Sequence, residues 1–349
     1  MKNKKAGESK VIVAADVRRL KISQWTFERT HVRCYEIEKV RHIWVGISYR
    51  LRFILPIVMP FRFKKSESPA KGVRRVCRER IGAALGGLRK GGRPAVVHGV
   101  RKEIKKLRAL FRLVRGKIGH GVYRKGAKAL REAAGSLTAP RDARVMLKAF
   151  EKLTGGGARR FAGIERALRI NARREAERFR KDDSLKRAER LLRKTDRRVD
   201  DLKIKAGGWA AIEPGLKESY RRGREACRLA RRQPSPENFH DWRKHVKDLW
   251  HYFCLLYPAW PAEGRAYTDE LEWLGGRLGE DHDLFLLQQF AAEHCAGEAN
   301  EVTALDQLIA SRQKVLRAAA LKLGSRLYAE PPADICRRLG NDWSLWRRK

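Results

Sequence analysis

Acidic residues are scarce in this chain. Its 349 residues carry 40 Asp and Glu against 80 Lys and Arg, a formal net charge of +40. Such an excess opposes compaction by self-repulsion. It points to a polyanionic partner: nucleic acid, an anionic membrane surface or an inorganic phosphate polymer. Cysteine is also thin. Cys34, Cys77, Cys227, Cys254, Cys295 and Cys336 are scattered without a C-x-x-C pair. Neither a zinc site nor a disulfide framework is signalled, and a reduced cytosolic setting is the simple reading. Long apolar runs are missing as well. The best candidate, "IWVGISYRLRFILPIVMPFRF" (43–63), contains Arg50, Arg52, Pro56 and Pro60. A central Arg costs about 2.5–3.5 kcal/mol on insertion scales, so no membrane span is expected. The same run starts too far from the first residue for a signal peptide.

What is abundant is helical text. From Met59 onward the sequence turns into Ala-, Leu- and Arg-rich stretches with a 3.6-residue period. Pro and Gly fall between them, in "KGGRP" (90–94), "TAP" (138–140), "TGGG" (154–157), "AGGWAAIEPG" (206–215), "RRQPSP" (231–236) and "YPAWP" (257–261). The pattern predicts an all-α protein. The mixed-sign stretch 159–203 is expected to form solvated helix faces laced by i, i+4 ion pairs. Residues 1–58 read differently, with 13 Lys and Arg, 5 acids and no sustained period.

The periodic text repeats itself. "VHGVRKEIKKLR" (97–108) aligns with "FHDWRKHVKDLW" (239–250), so that His98, Arg101, Lys102, Lys105 and Leu107 meet His240, Arg243, Lys244, Lys247 and Leu249. "SLTAPRDARV" (136–145) aligns with "RLGEDHDLFL" (277–286), bringing Asp142 onto Asp283. "VRRVCRERIGAAL" (73–85) is similar to "YRRGREACRLA" (220–230), with Arg74 and Arg75 over Arg221 and Arg222. Two tandem helical units are expected, 59–205 and 206–349.

On a helix, Val97, Val100, Ile104, Leu107, Phe111 and Val114 share one face and should be core. One residue further round lie His98, Arg101, Lys105, Arg108, Arg112 and Arg115, a cationic stripe about 25 Å long by the helix rise. The second unit starts the same way. Phe239, Trp242, Val246, Leu249, Phe253 and Leu256 make its core stripe, and His240, Arg243 and Lys247 begin its basic one, which ends in Trp250 and Cys254. Basic helix faces are ordinarily solvated surface. Here the sign imbalance, the place beside the core and the recurrence favour a paired basic groove. Arg offers bidentate contacts to phosphate, Lys a point charge, and His a donor that can itself become charged. Metal ligation by the histidines lacks converging ligands. The "EDHD" cluster (280–283) with His294 would hold a cation only by accident. Asp142 and Asp283 read as N-terminal caps or as partners of buried Arg.

At these residues the chain resembles the conserved histidine α-helical domain (CHAD) family. The resemblance begins with "MPFRFKKSESPAKGVRRVCRERIGAAL" (59–85). It runs through both H-x-x-R-K-x-x-K-x-L blocks and "LGEDHD", and ends at "LYAEPPADICRRL" (327–339). It implies two pseudo-symmetric helical bundles around a basic central channel, and binding of inorganic polyphosphate. It would place His98, Arg101, Lys102, Lys105 and Arg108 in the channel, with Arg112 continuing the stripe. His240, Arg243, Lys244 and Lys247 would face them, and Arg74, Arg75, Arg221 and Arg222 would add cations from the preceding helices. The second block of the family usually continues with Arg and an aromatic residue, where this chain has Trp250 and His251. A weaker second half-site is implied. The expected setting is cytoplasmic, in association with polyphosphate granules.

Two other readings compete with polyphosphate binding. The family's helical domain is often fused behind a triphosphate tunnel enzyme with an E-x-E-x-K signature. "YEIEKVR" (35–41) comes close, but Val40 stands where the Lys should be, and the short stretch between it and the helical text from Met59 leaves far less chain than a tunnel barrel needs. Phosphoryl chemistry also wants carboxylates for Mg²⁺, and no convincing set is present. The chain is therefore expected to be a binder, with no catalytic residue, metal or cofactor. Nucleic-acid backbone is the stronger rival, since the same groove would suit it. Few aromatics interleave the stripe to stack on bases. Residues 1–58 are expected to be dispensable, either a disordered extension or a misassigned translation start. The competing expectation is that "ISYRLRFILPIV" (47–58) packs on the bundle.

Overall fold

The computed structural model describes residues 61–155 and 158–348. Expectations about residues 1–58, including the dispensable segment, the E-x-E-x-K near match and Cys34, lie outside the described residues. Among the described residues there are eleven α-helices: α1 (Pro69–Arg89), α2 (Pro94–Leu113), α3 (His120–Gly135), α4 (Ala139–Thr154), α5 (Ala162–Lys181), α6 (Ser184–Asp196), α7 (Glu213–Arg232), α8 (Pro236–Leu256), α9 (Pro261–His294), α10 (Ala299–Leu327) and α11 (Pro332–Arg348). No strand occurs among the described residues, so the protein is all-α. Among them, no helix is long and apolar enough to cross a membrane.

Local chemistry sets the helix ends. α1 and α8 open with the same device, a Ser followed by Pro. Ser68 Oγ accepts the Lys71 N–H at 3.3 Å, and Ser235 Oγ accepts that of Asn238 at 3.2 Å. Each cap satisfies one orphan donor, worth about 1 kcal/mol, and Pro costs nothing where no donor is needed. α4 stops at Gly155, whose φ of 64° is the left-handed state that glycine alone adopts cheaply.

The predicted core stripes are buried throughout. Ile104 and Leu107 on α2, and Trp242, Val246 and Leu249 on α8, are wholly enclosed. Trp242 is accommodated by Gly324 of α10, where even a Cβ would come within 2.4 Å of the indole. The large core takes side chains from α1, α2, α3, α6, α7, α8, α11, the first half of α9 and the end of α10. A second core is built from Phe150 of α4, Phe161, and Ile164 and Leu168 of α5. They pack against Leu284, Leu287 and Phe290 late in α9 and Leu305 and Ile309 in α10. Both cores therefore draw on both halves of the chain.

The 159–203 stretch behaves as expected. α5 and α6 bury only a few side chains each, and their exposed faces carry the i, i+4 pairs Glu165–Arg169 and Glu189–Arg193, both at 2.6 Å. One contrast between the halves is instructive. α9 runs unbroken through Leu278 and Asp283, while the first half breaks between α3 and α4 at the aligned positions. Pro140 is the reason: it has no N–H to continue a helix. Ser136 and Thr138 instead turn their hydroxyls back onto the carbonyls of Glu132 and Ala134, at 3.1 and 2.9 Å.

Candidate functional site

α2 and α8 pack side by side and run the same way: Lys105 lies near Arg243 and Lys247, and Arg112 near Asp248 and Tyr252. Around their N-terminal halves, cations converge from three helices: Arg101 and Lys105 of α2, Arg141 of α4, and Arg243 and Lys247 of α8. Arg101 is held by the α3–α4 break, donating to Ala134 O at 2.7 Å and to Thr138 Oγ1 at 2.6 Å. α9 makes room for the other two. A Cβ on Gly275 would sit 2.7 Å from the Lys247 ammonium, and one on Gly279 would press on the Arg243 guanidinium at 3.4 Å.

The charges are incompletely balanced. Arg141 pairs with Asp142 at 2.7 Å and faces Asp283 at 3.8 Å, and Glu272 lies near Lys247. Five cations thus share three carboxylates. Lys105 registers the imbalance. Its ammonium reaches solvent, yet desolvation, followed by repulsion from Arg243, Arg141, Arg101 and Lys247, pushes it down to about 8. Lys247 is lowered by desolvation and by Arg243.

The histidines stand at the head of this cluster. The rings of His240 and His282 lie 4.0 Å apart and tilted by 33°. Burial, then His240, Arg243, Arg141 and Lys244, drive His282 down to about 3. His240 is lowered by burial and by Lys244 and Arg243. His98, more exposed, is lowered by burial and by Lys102 and Arg141. All three are therefore neutral donors at pH 7. The Nδ1 atoms of His240 and His282 and the Nε of Arg243 are buried without a hydrogen-bond partner among the described residues.

Toward the C-terminus of α2 the stripe continues through Arg108 and Arg112. Burial and Arg112 lower the Arg108 guanidinium against the pull of Asp248. For Arg112, burial is outweighed by its ion pair with Asp248, and its pKa rises. Beyond it opens a cleft of about 590 Å³ between α2, α3, α7 and α8.

Not every expected cation joins this cluster. The structure brings together His98, Arg101, Lys105, His240, Arg243 and Lys247, with Lys102 and Lys244 exposed at the rim. Arg74 is tied to Leu202 O at 3.1 Å. Arg75 is held by Glu67, Glu79 and Arg62 O. Arg221 lies exposed between Glu218 and Glu225. Arg222 pairs with Glu218 at 2.6 Å at the wall of the cleft. Asp142 and Asp283 are partners of Arg, as one of the two readings held, and Asp283 lies mid-helix, where it caps nothing. Glu280 and Asp281 of "EDHD" are spent on Lys152, Arg312 and Arg317. No group of three His, Cys, Asp or Glu among the described residues is placed to hold a metal. Two contributors escaped the sequence reading, Arg141 and His282. They are aligned with each other in the repeat, one residue before Asp142 and Asp283, and that register was the available signal.

These features define an all-α helical protein with a cluster of cations between α2, α4 and α8. The CHAD domain model matches residues 74–292, well over half of the chain, and the chain belongs to the CHAD family. A comparison with curated proteins finds no match. The family is associated with polyphosphate binding.

Proposed function

We propose that this chain binds inorganic polyphosphate in the groove between α2, α4, α8 and α9, as a binding protein without catalysis, and that it acts in the cytoplasm on polyphosphate granules. The observation that carries the reading is the convergence of Arg101, Lys105, Arg141, Arg243 and Lys247 on three carboxylates. A phosphate chain would supply the missing negative charge along its whole length. The neutral histidines would donate hydrogen bonds to its oxygens.

Nucleic-acid backbone is the second reading, because it offers the same charge. The aromatics bordering the groove are already engaged: Trp250 packs on His251 and beneath Lys247, and Tyr123 beneath Arg115. Bases would find few free faces to stack on. The test is competition between long-chain polyphosphate and single-stranded RNA at matched phosphate concentration and fixed salt. Polyphosphate should win, with a logarithmic salt slope near −0.7 per phosphate neutralised, by analogy with single strands. RNA that competes equally, or binding that is flat with salt, overturns the proposal.

A further inference from the structure

The two halves of the groove are unequal, and the inequality lies at its C-terminal ends. In the repeat, Arg108, Arg112 and Arg115 of the first block align with Trp250, Cys254 and Tyr257 of the second. In place of three guanidiniums the second half has an indole, a thiol and a phenol. Cys254 is buried, and desolvation pushes its thiol up to about 12. The space beside it is filled: Phe61 packs edge-on to His251 at 5.9 Å and lies under the Lys106 ammonium at 5.8 Å, while the Phe63 N–H donates to Leu255 O at 3.0 Å. The cations on that side are also satisfied, Arg80 and Lys106 both pairing with Glu103, at 3.1 and 2.8 Å.

The first half is the reverse. Its cleft of about 590 Å³ is lined by Arg112, Arg115, His120, Tyr123, Arg222 and His245. The carboxylates of this cleft, Asp248 and Glu218, are each already paired with an arginine. Arg115, exposed at the cleft, lies over the Tyr123 ring at 5.1 Å. Arg108, in the C-terminal third of α2, links this cleft to the central cluster.

Building on the polyphosphate reading, we infer that the track is one-ended. A phosphate chain held at Arg101, Lys105 and Arg243 leaves along α2 past Arg108 and ends in the cleft at Arg112, Arg115 and His120. The equivalent exit along α8 is closed by Phe61, Trp250 and Cys254. From Arg101 to Arg112 the track runs about 17 Å by the helix rise, and Arg115 extends it in the turn beyond α2. Tripolyphosphate is too short to span it and binds at the central cluster alone.

The experiment removes one cation at a time from the full chain: Arg115→Gln on the open side, Lys106→Gln on the closed side, and Arg101→Gln at the centre. Affinity is measured for long-chain polyphosphate and for tripolyphosphate, with melting curves confirming that each variant is folded. Arg115→Gln should weaken the long chain several-fold and leave tripolyphosphate unchanged, and Lys106→Gln should change neither. Equal losses from Arg115→Gln and Lys106→Gln, or an equal loss of both ligand lengths in Arg115→Gln, overturn the one-ended track. If Arg101→Gln itself leaves long-chain binding intact, the polyphosphate reading of the groove fails, a result distinct from either of these.

Discussion

Raising the pH should release polyphosphate at a value set by Lys105. In the free protein, desolvation and four cationic neighbours bring this lysine down to about 8. Bound phosphate would oppose both effects and restore an ordinary lysine pKa near 10.4. The ligand then prefers the protonated form, so affinity holds below pH 8 and falls above it. From the fraction protonated in the free state, the dissociation constant should rise at most about tenfold between pH 7 and pH 9, since the exposed end of the side chain is partly screened by water. His98, His240 and His282 all titrate below their usual 6.5 and contribute nothing to this window. The assay is fluorescence anisotropy of labelled polyphosphate at constant ionic strength, at pH 7, 8 and 9. In Lys105→Arg, whose guanidinium stays charged throughout, the dependence should flatten while the affinity at pH 7 is kept. A wild-type protein with no pH dependence, or a Lys105→Arg variant with an undiminished one, would refute the argument.

Three further outcomes follow from the geometry. Reversing Arg101 and Lys105 to Glu should weaken polyphosphate binding far more than reversing Arg187 and Arg190 on exposed α6, and equal losses in a binding titration would show bulk charge at work. Gly275→Ala should displace the flexible end of Lys247, costing several-fold in affinity with little change in melting temperature, because the group that must move is the tip of a long side chain. Trp250→Arg should leave affinity unchanged or raise it, and a clear loss measured in the same titration would show that the indole itself contributes to binding.

Helix period and face were readable from residue order alone, because every side chain on the stripes of α2 and α8 has its fate decided by its own helix. Val97 to Val114 and Phe239 to Leu256 are buried as the spacing required. The site was readable only where it lay on those same helices. Arg141 and His282 enter from α4 and α9, and their place depends on how those helices pack, which no local pattern records. Arg74 and Arg75 show the opposite failure. The repeat aligned them with Arg221 and Arg222, yet Glu67 and the Leu202 carbonyl claim them, partners that no repeat alignment contains.

The second core carries a consequence in time. Phe150 and Phe161 are made early, but the side chains that cover them, Leu284 to Phe290 and Leu305 to Leu316, emerge more than a hundred residues later. Until α9 and α10 have left the ribosome, the apolar face that α4 and α5 share around Phe150 and Ile164 stays uncovered. Contacts of such sequence separation are slow to form, because loop closure must be completed before they stabilise anything. Folding of this protein should therefore show a late phase reported by Phe150, after α1, α2 and α3 have consolidated, and chains released before α10 is complete should expose that face to proteases and chaperones.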